Sequence, residues 1–371
     1  MEREELLRLK IRLLTEGVRL PEGISTGRKG GAGPVGARYF LLPDGSTIGI
    51  PIRGGRVAET FNSANLEQTE TKGMWLYDSK YLLTEVPRPA FYDMRTEDSI
   101  EFSKLALLHG SDCLATTVLQ ECKYWGSGEQ CKFCTIPTSY LAGSTTKEKT
   151  PSQIAQIVAQ AESDGIIKHI LLTTGTSEEP DMGVGRMVNI VSEIRKLSNL
   201  PIAVQFEPPD DLTQIDSLAK AGVNAVGIHI ESADEEIRMR VCPGKYDHAS
   251  REDYIAAWDY ARRFFAKGDV STFLLYGLGE DEEKTLEFCD FIASKGVFPI
   301  VTPVRPALGS QLAEYIPSYV GNLDHVVEFY KRLGKILVKH ELDPRATAGS
   351  CSRCGGCTPI QEAYNWASQE I

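Results

Sequence analysis

The sequence has no apolar run that approaches the ~20 residues a membrane-spanning helix needs. Its opening residues, Met1-Glu2-Arg3-Glu4-Glu5, do not fit a signal peptide, so the expected compartment is the cytoplasm. A basic excess is also missing: 40 Lys and Arg stand against 51 Asp and Glu, for a net charge of −11, which argues against nucleic acid or an anionic membrane as the main partner. The six histidines are scattered, and none has metal-ligand spacing with another.

The composition is ordinary in other respects. Hydrophobic residues make up 42% and charged residues 25% of 371 residues, with 33 glycines, which excludes collagen-like, disordered and coiled-coil classes. A chain of this length suits one large α/β domain with extensions. It is long enough to bury roughly three quarters of its unfolded surface.

The first hundred residues predict a helix followed by a small antiparallel element. Leu7, Ile11, Leu14 and Val18 recur at helical spacing. A hairpin is predicted where Tyr39-Phe40-Leu41-Leu42 turns at Pro43-Asp44-Gly45-Ser46 into Thr47-Ile48-Gly49-Ile50. Between them, the stretch Gly27 to Gly36 includes Gly30-Gly31-Ala32-Gly33-Pro34, which lacks the Lys-Ser/Thr ending of a phosphate-binding loop, so a surface loop is expected.

Strands and helices then alternate, as in a parallel sheet or barrel. The helix after Thr150-Pro151 is expected to end at Gly165, and later helices at Gly222 and Gly296. Six strands are predicted, two fewer than in a closed eightfold barrel; they cover 113–119, 168–174, 202–207, 225–231, 270–277 and 298–303.

The predicted fold class is therefore α/β. We expect a partial (β/α)6 TIM-type barrel over 101–341, preceded by an N-terminal α+β extension over 1–100 and followed by an irregular tail over 342–371. A doubly wound sheet is the alternative. In either case, ligands belong at the carboxyl ends of the strands.

The chain has nine cysteines, and six of them form two tight triplets. In a reducing compartment, closely spaced cysteines are more typical of metal or cluster ligands than of disulfides. The triplets are Cys122, Cys131 and Cys134, and Cys351, Cys354 and Cys357. Three thiolates in one loop can hold three corners of a [4Fe–4S] cluster and leave one iron open, whereas a structural zinc ion would take four ligands.

The first triplet lies in the loop directly after the first barrel strand and resembles the radical S-adenosylmethionine (radical SAM) superfamily. An aromatic residue, Phe133, precedes the last cysteine as in that superfamily, although eight residues separate Cys122 from Cys131 where three are commonest. The resemblance implies that the open iron chelates the methionine part of SAM. Electron transfer, with a ferredoxin or flavodoxin as reductant, then gives a 5′-deoxyadenosyl radical that abstracts hydrogen from an unactivated C–H bond.

The resemblance also implies SAM contacts at the ends of later strands. Thr174, Gly175 and Thr176 match a glycine motif near the methionine amino group, without its acidic residue. Glu231 resembles a ribose or amino contact, and Arg251 resembles an arginine that pairs with the cofactor carboxylate. Gly277 and Gly279 resemble an adenine-facing motif, and the sequence Pro303-Val304-Arg305-Pro306 with Gly309-Ser310 is similar to biotin-synthase-like members.

The second triplet, in such an enzyme, suggests an auxiliary [4Fe–4S] cluster, whose uses include electron transfer, substrate anchoring and the donation of sulfur to a carbon radical. Ser350, Ser352, Arg353 or a substrate would complete its ligands. Among subfamilies, the chain resembles the two-component lipoyl synthases, which insert sulfur into an octanoyl chain on a carrier protein with a second radical SAM subunit. Uncharacterised nitrilase-cluster radical SAM proteins also look similar. An acidic carrier would need a basic patch, for which Arg262, Arg263 and Lys267 are candidates.

Structural interpretations remain open for several of these residues. Cys131 and Cys134 with Cys351 and Cys354 could form a four-cysteine zinc site in a non-enzymatic scaffold. Glu231 could be a strand-end charge and Arg251 a surface residue. Three further cysteines have simpler expectations: Cys113 and Cys289 as small buried residues, and Cys242 as either a core residue or a residue at the barrel mouth.

Overall fold

Two sheets, of six and seven strands, organise the part of the chain that this computed structural model describes, residues 1–24 and 36–370. The glycine segment Gly30-Gly31-Ala32-Gly33-Pro34 lies outside these residues. The N-terminal elements are α1 (Arg3–Glu16), β1 (Val18–Arg19), β2 (Ala37–Leu41), β3 (Thr47–Pro51), α2 (Gly55–Thr60), β4 (Ala64–Gln68), β5 (Met74–Tyr77) and β6 (Tyr81–Glu85).

The predicted hairpin is present, because β2 and β3 pair antiparallel with Tyr39 opposite Gly49. The predicted first helix is shorter than its apolar pattern: α1 ends at Gly17, whose φ of 67° is left-handed, so Val18 falls in β1. A Cβ at Gly17 would lie 2.6 Å from the carbonyl oxygen of Pro51, so close packing requires glycine there. The sequence did not predict the other four strands of this sheet, whose order is β1-β4-β5-β6-β2-β3.

The second sheet begins after a 3-10 turn at Ala90–Asp93 and the short helix α3 (Phe102–Leu105). Its strands are β7 (Leu107–His109), β8 (Cys113–Thr117), β9 (His169–Thr173), β10 (Ile202–Phe206), β11 (Ala225–Ile228), β12 (Val270–Tyr276) and β13 (Val297–Pro303). The intervening helices are α4 (Ile136–Leu141), α5 (Pro151–Ser163), α6 (Val184–Arg195), α7 (Gln214–Ala221), α8 (Glu235–Val241), α9 (Pro243–His248), α10 (Arg251–Ala261) and α11 (Glu282–Ser294). The chain ends with α12 (Leu323–Lys339), α13 (Cys351–Cys354) and α14 (Ile360–Glu370).

The six predicted strands are β8 to β13, and they are parallel neighbours in sequence order. Sequential order distinguishes a barrel from a doubly wound sheet, in which the order reverses at a switch point. The sheet curls into a partial barrel, which confirms the predicted fold class. The sequence missed β7, which adds antiparallel to β8 at one edge. Among the described residues, β7 and β13 do not pair with each other, so the barrel is open on that side.

The two faces of the sheet differ in their packing. Residues such as Ile170, Leu172 and Val204 point outward and pack with the helices in the main core. The alternate positions, among them Ala115 and Ala203, form a small inner cluster against which Cys351 and Cys354 of the tail pack. The interior of the barrel is therefore filled partly by the C-terminal tail. The expectation for the lone residues Cys113 and Cys289 is met, since both are fully buried.

Hydrogen bonds from the tail reach both sheets across the open side of the barrel. Thr47 Oγ1 donates to the carbonyl of Cys354 (2.6 Å), and the Gly49 N–H donates to that of Gly356 (2.7 Å). Thr302 Oγ1 on β13 donates to the carbonyl of Cys357 (2.7 Å). The tail thus joins the N-terminal sheet to the last barrel strand.

Helix ends follow the expected cap residues. Thr150 and Gln153 form a reciprocal capping box at the start of α5, and Gly222 (φ 94°) ends α7 in the left-handed conformation.

Across the described residues, no helix is both long and apolar enough to cross a membrane.

A buried ion pair joins the first and last helices. Lys10 of α1 lies 2.9 Å from the carboxylate of Glu362 in α14, and neither side chain has any exposure. Removing one partner leaves an uncompensated buried charge, which typically costs about 3–5 kcal/mol, while replacing both by apolar residues is often neutral.

We therefore expect Lys10→Met to lower the free energy of unfolding by about 3–5 kcal/mol and Lys10→Met/Glu362→Leu to recover most of it, as measured by chemical denaturation. The exposed pair of Arg88 and Asp93 is the control, and Arg88→Ala should cost less than about 1 kcal/mol. A double variant as unstable as the single one would contradict the role of the unpaired charge.

Candidate functional site

Three thiols of the first triplet lie together in the loop after β8. Burial raises the pKa of Cys122 and raises that of Cys134 to about 12; the neighbouring thiols, including Cys131, add to both shifts. Backbone N–H groups donate to two of the sulfur atoms. The Ile136 N–H donates to Cys134 Sγ (3.4 Å), and the backbone N–H groups of Tyr124 and Thr176 donate to the sulfur of Cys122. Such N–H···S contacts are a feature of protein-bound iron–sulfur clusters.

The donor set fits a cluster better than a single metal ion. In the part of the chain that the structure describes, no group of three or more His, Cys, Asp or Glu side chains converges on one ion position. Cubane ligands bind different irons and need not converge on one point. Cys122, Cys131 and Cys134 would hold a [4Fe–4S] cluster, which would supply an electron to a bound cofactor. The zinc site suggested for Cys131, Cys134, Cys351 and Cys354 is not formed among these residues.

Backbone contacts fix the cluster loop against the barrel mouth. The Lys132 N–H donates to the carbonyl of Val241 (2.8 Å), and the Gly244 N–H donates to that of Glu129 (3.0 Å). On the other side, the Gly175 N–H donates to the carbonyl of Leu119 (2.9 Å). A Cβ at Gly175 would lie only 1.8 Å from the Glu121 carbonyl oxygen, so the loop can pack here only against glycine.

A buried carboxylate ties this loop to the ends of two strands. Glu207, after β10, accepts hydrogen bonds from Tyr124 Oη (3.0 Å) and Thr176 Oγ1 (2.8 Å). Thr174 Oγ1 instead donates to the carbonyl of Gly175 (2.8 Å). Thr176 of the predicted glycine motif is therefore linked to the loop through Glu207. Sequence reasoning missed Glu207 because a single glutamate after a strand has no distinctive pattern.

A buried ion pair lies beside the thiols. Lys245 Nζ is 2.6 Å from Glu231 Oε1, with side-chain exposures of 16% and 10%. Burial opposes the charge on Lys245, but Glu231 and its other neighbours, Cys131 among them, hold the pKa of Lys245 well above its usual value. Glu231 has a left-handed φ of 71°, a strained conformation for glutamate that functional sites often retain. The sequence singled out Glu231 but not its partner.

Cys242 lies next to Cys131 in the same group. It is fully buried at the start of α9, and its thiol hydrogen-bonds with that of Cys131. Burial, with the charge of Glu231 adding to it, raises the pKa of Cys242 well above its usual value. The sequence left Cys242 as either a core residue or a residue at the barrel mouth. In the structure it is both, since it is buried and lies at the mouth.

The remaining predicted contacts are distributed around the same end of the sheet. Phe133 is half-buried against the main core. Arg251, the first residue of α10, bonds with Glu235 and the carbonyl of Ala233, and its guanidinium carbon lies 5.2 Å from the ring centre of Phe288 in α11.

The glycine motif after β12 has two different environments. Gly277 (φ 104°) accommodates the ring of Tyr319, which would lie 2.5 Å from a Cβ there. Gly279 (φ 89°) has no atom within 4 Å of such a Cβ, so its surface is open. Of the two, Gly279 leaves more room for a ligand.

The second triplet lies inside the barrel, toward the amino-terminal ends of the strands. Burial raises the pKa of Cys351 well above its usual value and that of Cys354 to about 12, and Cys357 adds to both shifts. The hydroxyls of Ser350 and Ser352 are 3.0 Å apart and bond to each other, while Arg353 donates to the carbonyl of Thr347 (3.1 Å). The three thiols fit three corners of a second cluster on the same argument as the first.

Polar residues on the inner face lie between the two triplets. Gln205 Nε2 is 3.8 Å from Cys351 Sγ. His229 accepts from the Phe273 N–H at Nδ1 (3.1 Å), and a Cβ on Gly227 would lie 2.9 Å from His229 Nε2. Burial and the charge of Lys245 hold the pKa of His229 well below its usual value, so the ring is neutral. A five-residue strand at about 3.3 Å per residue separates the two ends of the sheet by roughly 15 Å.

Comparison with known proteins identifies one segment. Residues 127–292 match the family model of the radical SAM superfamily, a match that includes Cys131 and Cys134 and ends before β13. The chain is similar to bacteriochlorophyllide c C-7(1)-hydroxylase of Chlorobaculum limnaeum, with 27% identity over 146 residues, 39% of this chain and 35% of the hydroxylase. It is also similar to lipoyl synthase of Parabacteroides distasonis, with 26% identity over 231 residues, 57% of this chain and 77% of the synthase.

Among solved structures, methylornithine synthase has a TM-score of 0.46 and 18% identity, over 60% of this chain and 61% of that one. The match to bacteriochlorophyllide c C-7(1)-hydroxylase spans about a third of the length of that protein. The matched segment carries two of the three clustered thiols and the strands that follow them. Residues 127–292 therefore form a segment that is similar to the radical SAM superfamily.

Proposed function

We propose that this enzyme cleaves SAM reductively at a [4Fe–4S] cluster held by Cys122, Cys131 and Cys134, and abstracts hydrogen from an aliphatic C–H bond. We further propose that the resulting carbon radical is trapped by sulfur from an auxiliary [4Fe–4S] cluster held by Cys351, Cys354 and Cys357. This is the chemistry of lipoyl synthase, whose substrate class would be an octanoyl chain on a carrier protein.

The observation that carries the proposal is that two separate sets of three thiols adjoin one barrel interior. A radical at an aliphatic carbon must meet its sulfur source within contact distance, because holding the reactants together replaces diffusion. Gln205 and His229 are polar groups on the inner face between the two sets, where a substrate would be bound. The similarity to a lipoyl synthase supports the same chemistry.

In this proposal the chain's own residues position the cofactor. Glu231, oriented by Lys245, would accept hydrogen bonds from the ribose or amino group of SAM. Gly279 would leave room for the adenine, and Phe133 would cover the cluster. Arg251 would reach the cofactor carboxylate only after releasing Glu235. Gly175 would hold the cluster loop close to β9.

The partners that we propose are a ferredoxin- or flavodoxin-type reductant, an acylated carrier domain and a second radical SAM subunit, in the cytoplasm. Of the suggested basic patch, Arg262 donates to the carbonyls of Lys295 and Phe265, and Lys267 pairs with Glu341 (2.9 Å). Arg263 instead lies over the rings of Tyr260 and Phe264. Because these contacts use the face of its guanidinium and not its N–H groups, Arg263 is the residue of the patch best suited to bind an acidic carrier.

The two-cluster assignment is tested by iron and sulfide content after anaerobic reconstitution, with 5′-deoxyadenosine assayed in parallel. We expect about eight irons per chain, falling to about four in Cys131→Ala/Cys134→Ala and in Cys354→Ala/Cys357→Ala. Deoxyadenosine should be lost completely only in the first variant. The matched control is Cys289→Ala, because Cys289 is a buried cysteine away from both triplets.

Zinc in place of iron would contradict the cluster assignment. Four irons in the wild type, unchanged by Cys354→Ala/Cys357→Ala, would remove the auxiliary cluster and with it the sulfur donor.

Sulfur insertion is tested separately with an octanoylated lipoyl domain, dithionite and SAM, followed by intact-mass spectrometry. We expect a gain of sulfur mass on the octanoyl chain that Cys354→Ala/Cys357→Ala abolishes, because the radical then has no sulfur source. No gain, with and without candidate partner proteins, would refute the lipoyl-type reaction but not SAM cleavage.

Carrier docking predicts a kinetic effect. Arg263→Glu should raise KM for the carrier several-fold at low salt with little change in kcat, because a rim charge acts mainly on encounter. The control, Lys72→Glu, changes an exposed charge on the N-terminal sheet and should leave KM unaltered. Equal KM values for Arg263→Glu and wild type would exclude this patch.

A further inference from the structure

One motif has no part in the proposed reaction: the sequence Pro303-Val304-Arg305-Pro306 at the end of β13. Its backbone is fixed from both sides, since the Val304 N–H donates to the carbonyl of Tyr276 (2.8 Å) and the Val304 carbonyl accepts from Tyr319 Oη (2.6 Å). Pro306 restricts the chain further. Arg305 is therefore held in place by its neighbours.

The two terminal nitrogens of the Arg305 guanidinium are buried without partners, although the residue as a whole is partly exposed. Both Nη1 and Nη2 have no solvent contact, and neither has a hydrogen-bond partner within residues 1–24 and 36–370. An arginine stays protonated in proteins, so the group cannot escape the cost by losing its charge. Burying an unpaired charge is strongly unfavourable, and such a group is expected where a ligand supplies the missing acceptors.

A second buried arginine, Arg53 of the N-terminal extension, adds positive charge to the surroundings of Arg305. It is 8% exposed; its Nε donates to the carbonyl of Glu16 (3.1 Å) and its Nη2 to that of Thr15 (3.4 Å), at the end of α1. Burial lowers the pKa of Arg53 to about 10; Tyr319 opposes the shift and the charge of Arg305 adds to it. The guanidinium carbon of Arg53 lies 3.6 Å from the ring centre of Phe61, and the positive charge of Arg305 opposes its own.

The pair lies at the mouth of the barrel, on its open side. Arg305 follows the carboxyl end of β13, and Arg53 follows β3 of the other sheet. Tyr319, which interacts with both, also packs on Gly277 at the carboxyl end of β12. Ligands of parallel α/β folds bind at this end of the strands.

We infer that Arg305, in surroundings made more positive by Arg53, binds a carboxylate on a substrate-sized molecule that enters the barrel mouth. Arg305 offers a free pair of Nη donors, which matches the two oxygens of one carboxylate. Arg53, with Nε and Nη2 already bonded to carbonyls, contributes charge more than donors. The inference does not depend on sulfur insertion, and it holds for any radical reaction at this barrel.

The carboxylate could come from a substrate or from the methionine part of SAM, and binding measurements separate the two. Octanoate, octanamide, inorganic phosphate and SAM are titrated calorimetrically, under anaerobic conditions and at constant ionic strength, into the reconstituted wild type, Arg305→Met and Arg305→Lys. Arg56→Gln, an exposed arginine three residues from Arg53, is the control.

We expect octanoate to bind the wild type more tightly than octanamide, which lacks the carboxylate that Arg305 would pair with. Arg305→Met should weaken octanoate at least roughly tenfold, and Arg305→Lys should weaken it less, because it keeps the charge but not the paired donors. SAM affinity should stay constant if the carboxylate belongs to a substrate. A tenfold loss of SAM affinity, with no octanoate binding, would assign Arg305 to the cofactor and overturn a substrate site.

The melting temperature without ligand separates a binding role of Arg305 from a structural one, which binding measurements alone do not. Arg305→Met should melt at or above the wild-type temperature, because it removes an unpaired buried charge. An Arg305→Met variant that is clearly destabilised, with octanoate and SAM affinities unchanged, would make Arg305 structural and overturn the inference. Phosphate binding in place of octanoate would overturn the choice of a carboxylate.

Discussion

The open side of the barrel is the constraint on which the rest of the structure depends. A sheet that stops at β7 and β13 leaves an unpaired gap, and buried backbone groups along it require partners. The tail supplies one of them, because Thr358 Oγ1 donates to the carbonyl of Val301 on β13. The tail also binds both sheets, since its carbonyls at Cys354, Gly356 and Cys357 accept from β3 and from the Thr302 hydroxyl. Closing the gap in this way is what carries three thiols into the interior of the barrel, opposite the cluster loop.

Charge is buried in this protein mainly where it is paired. Lys245 with Glu231 at the mouth, and Lys10 with Glu362 between the terminal helices, follow the rule that a buried ion needs a partner within hydrogen-bond distance. Arg305 breaks that rule at the same end of the barrel as the cluster thiols. Departures of this kind concentrate at sites where a ligand completes the structure.

The sequence predicted those features whose physical cause is local. Strand periodicity placed β8 to β13 within a few residues, and the caps at Thr150 and Gly222 are side-chain and backbone effects confined to one helix end. It did not predict that β1 pairs in parallel with β4, because this pairing brings together Val18 and Ala64, which are 46 positions apart in the sequence. Nor could spacing show that Cys242 meets Cys131, since that contact is set by how α8 and α9 pack on the cluster loop.

The N-terminal extension is an integral part of the site rather than an appendage. Its helix α1 binds Glu362 through Lys10 and holds Arg53 with the carbonyls at its end, while β3 receives the tail through Thr47. All of these contacts lie outside residues 127–292, the segment that matches the superfamily. The matched segment carries Cys131, Cys134 and the strands that follow them. The extension and the tail instead shape the open side of the barrel, where the unpaired Arg305 lies.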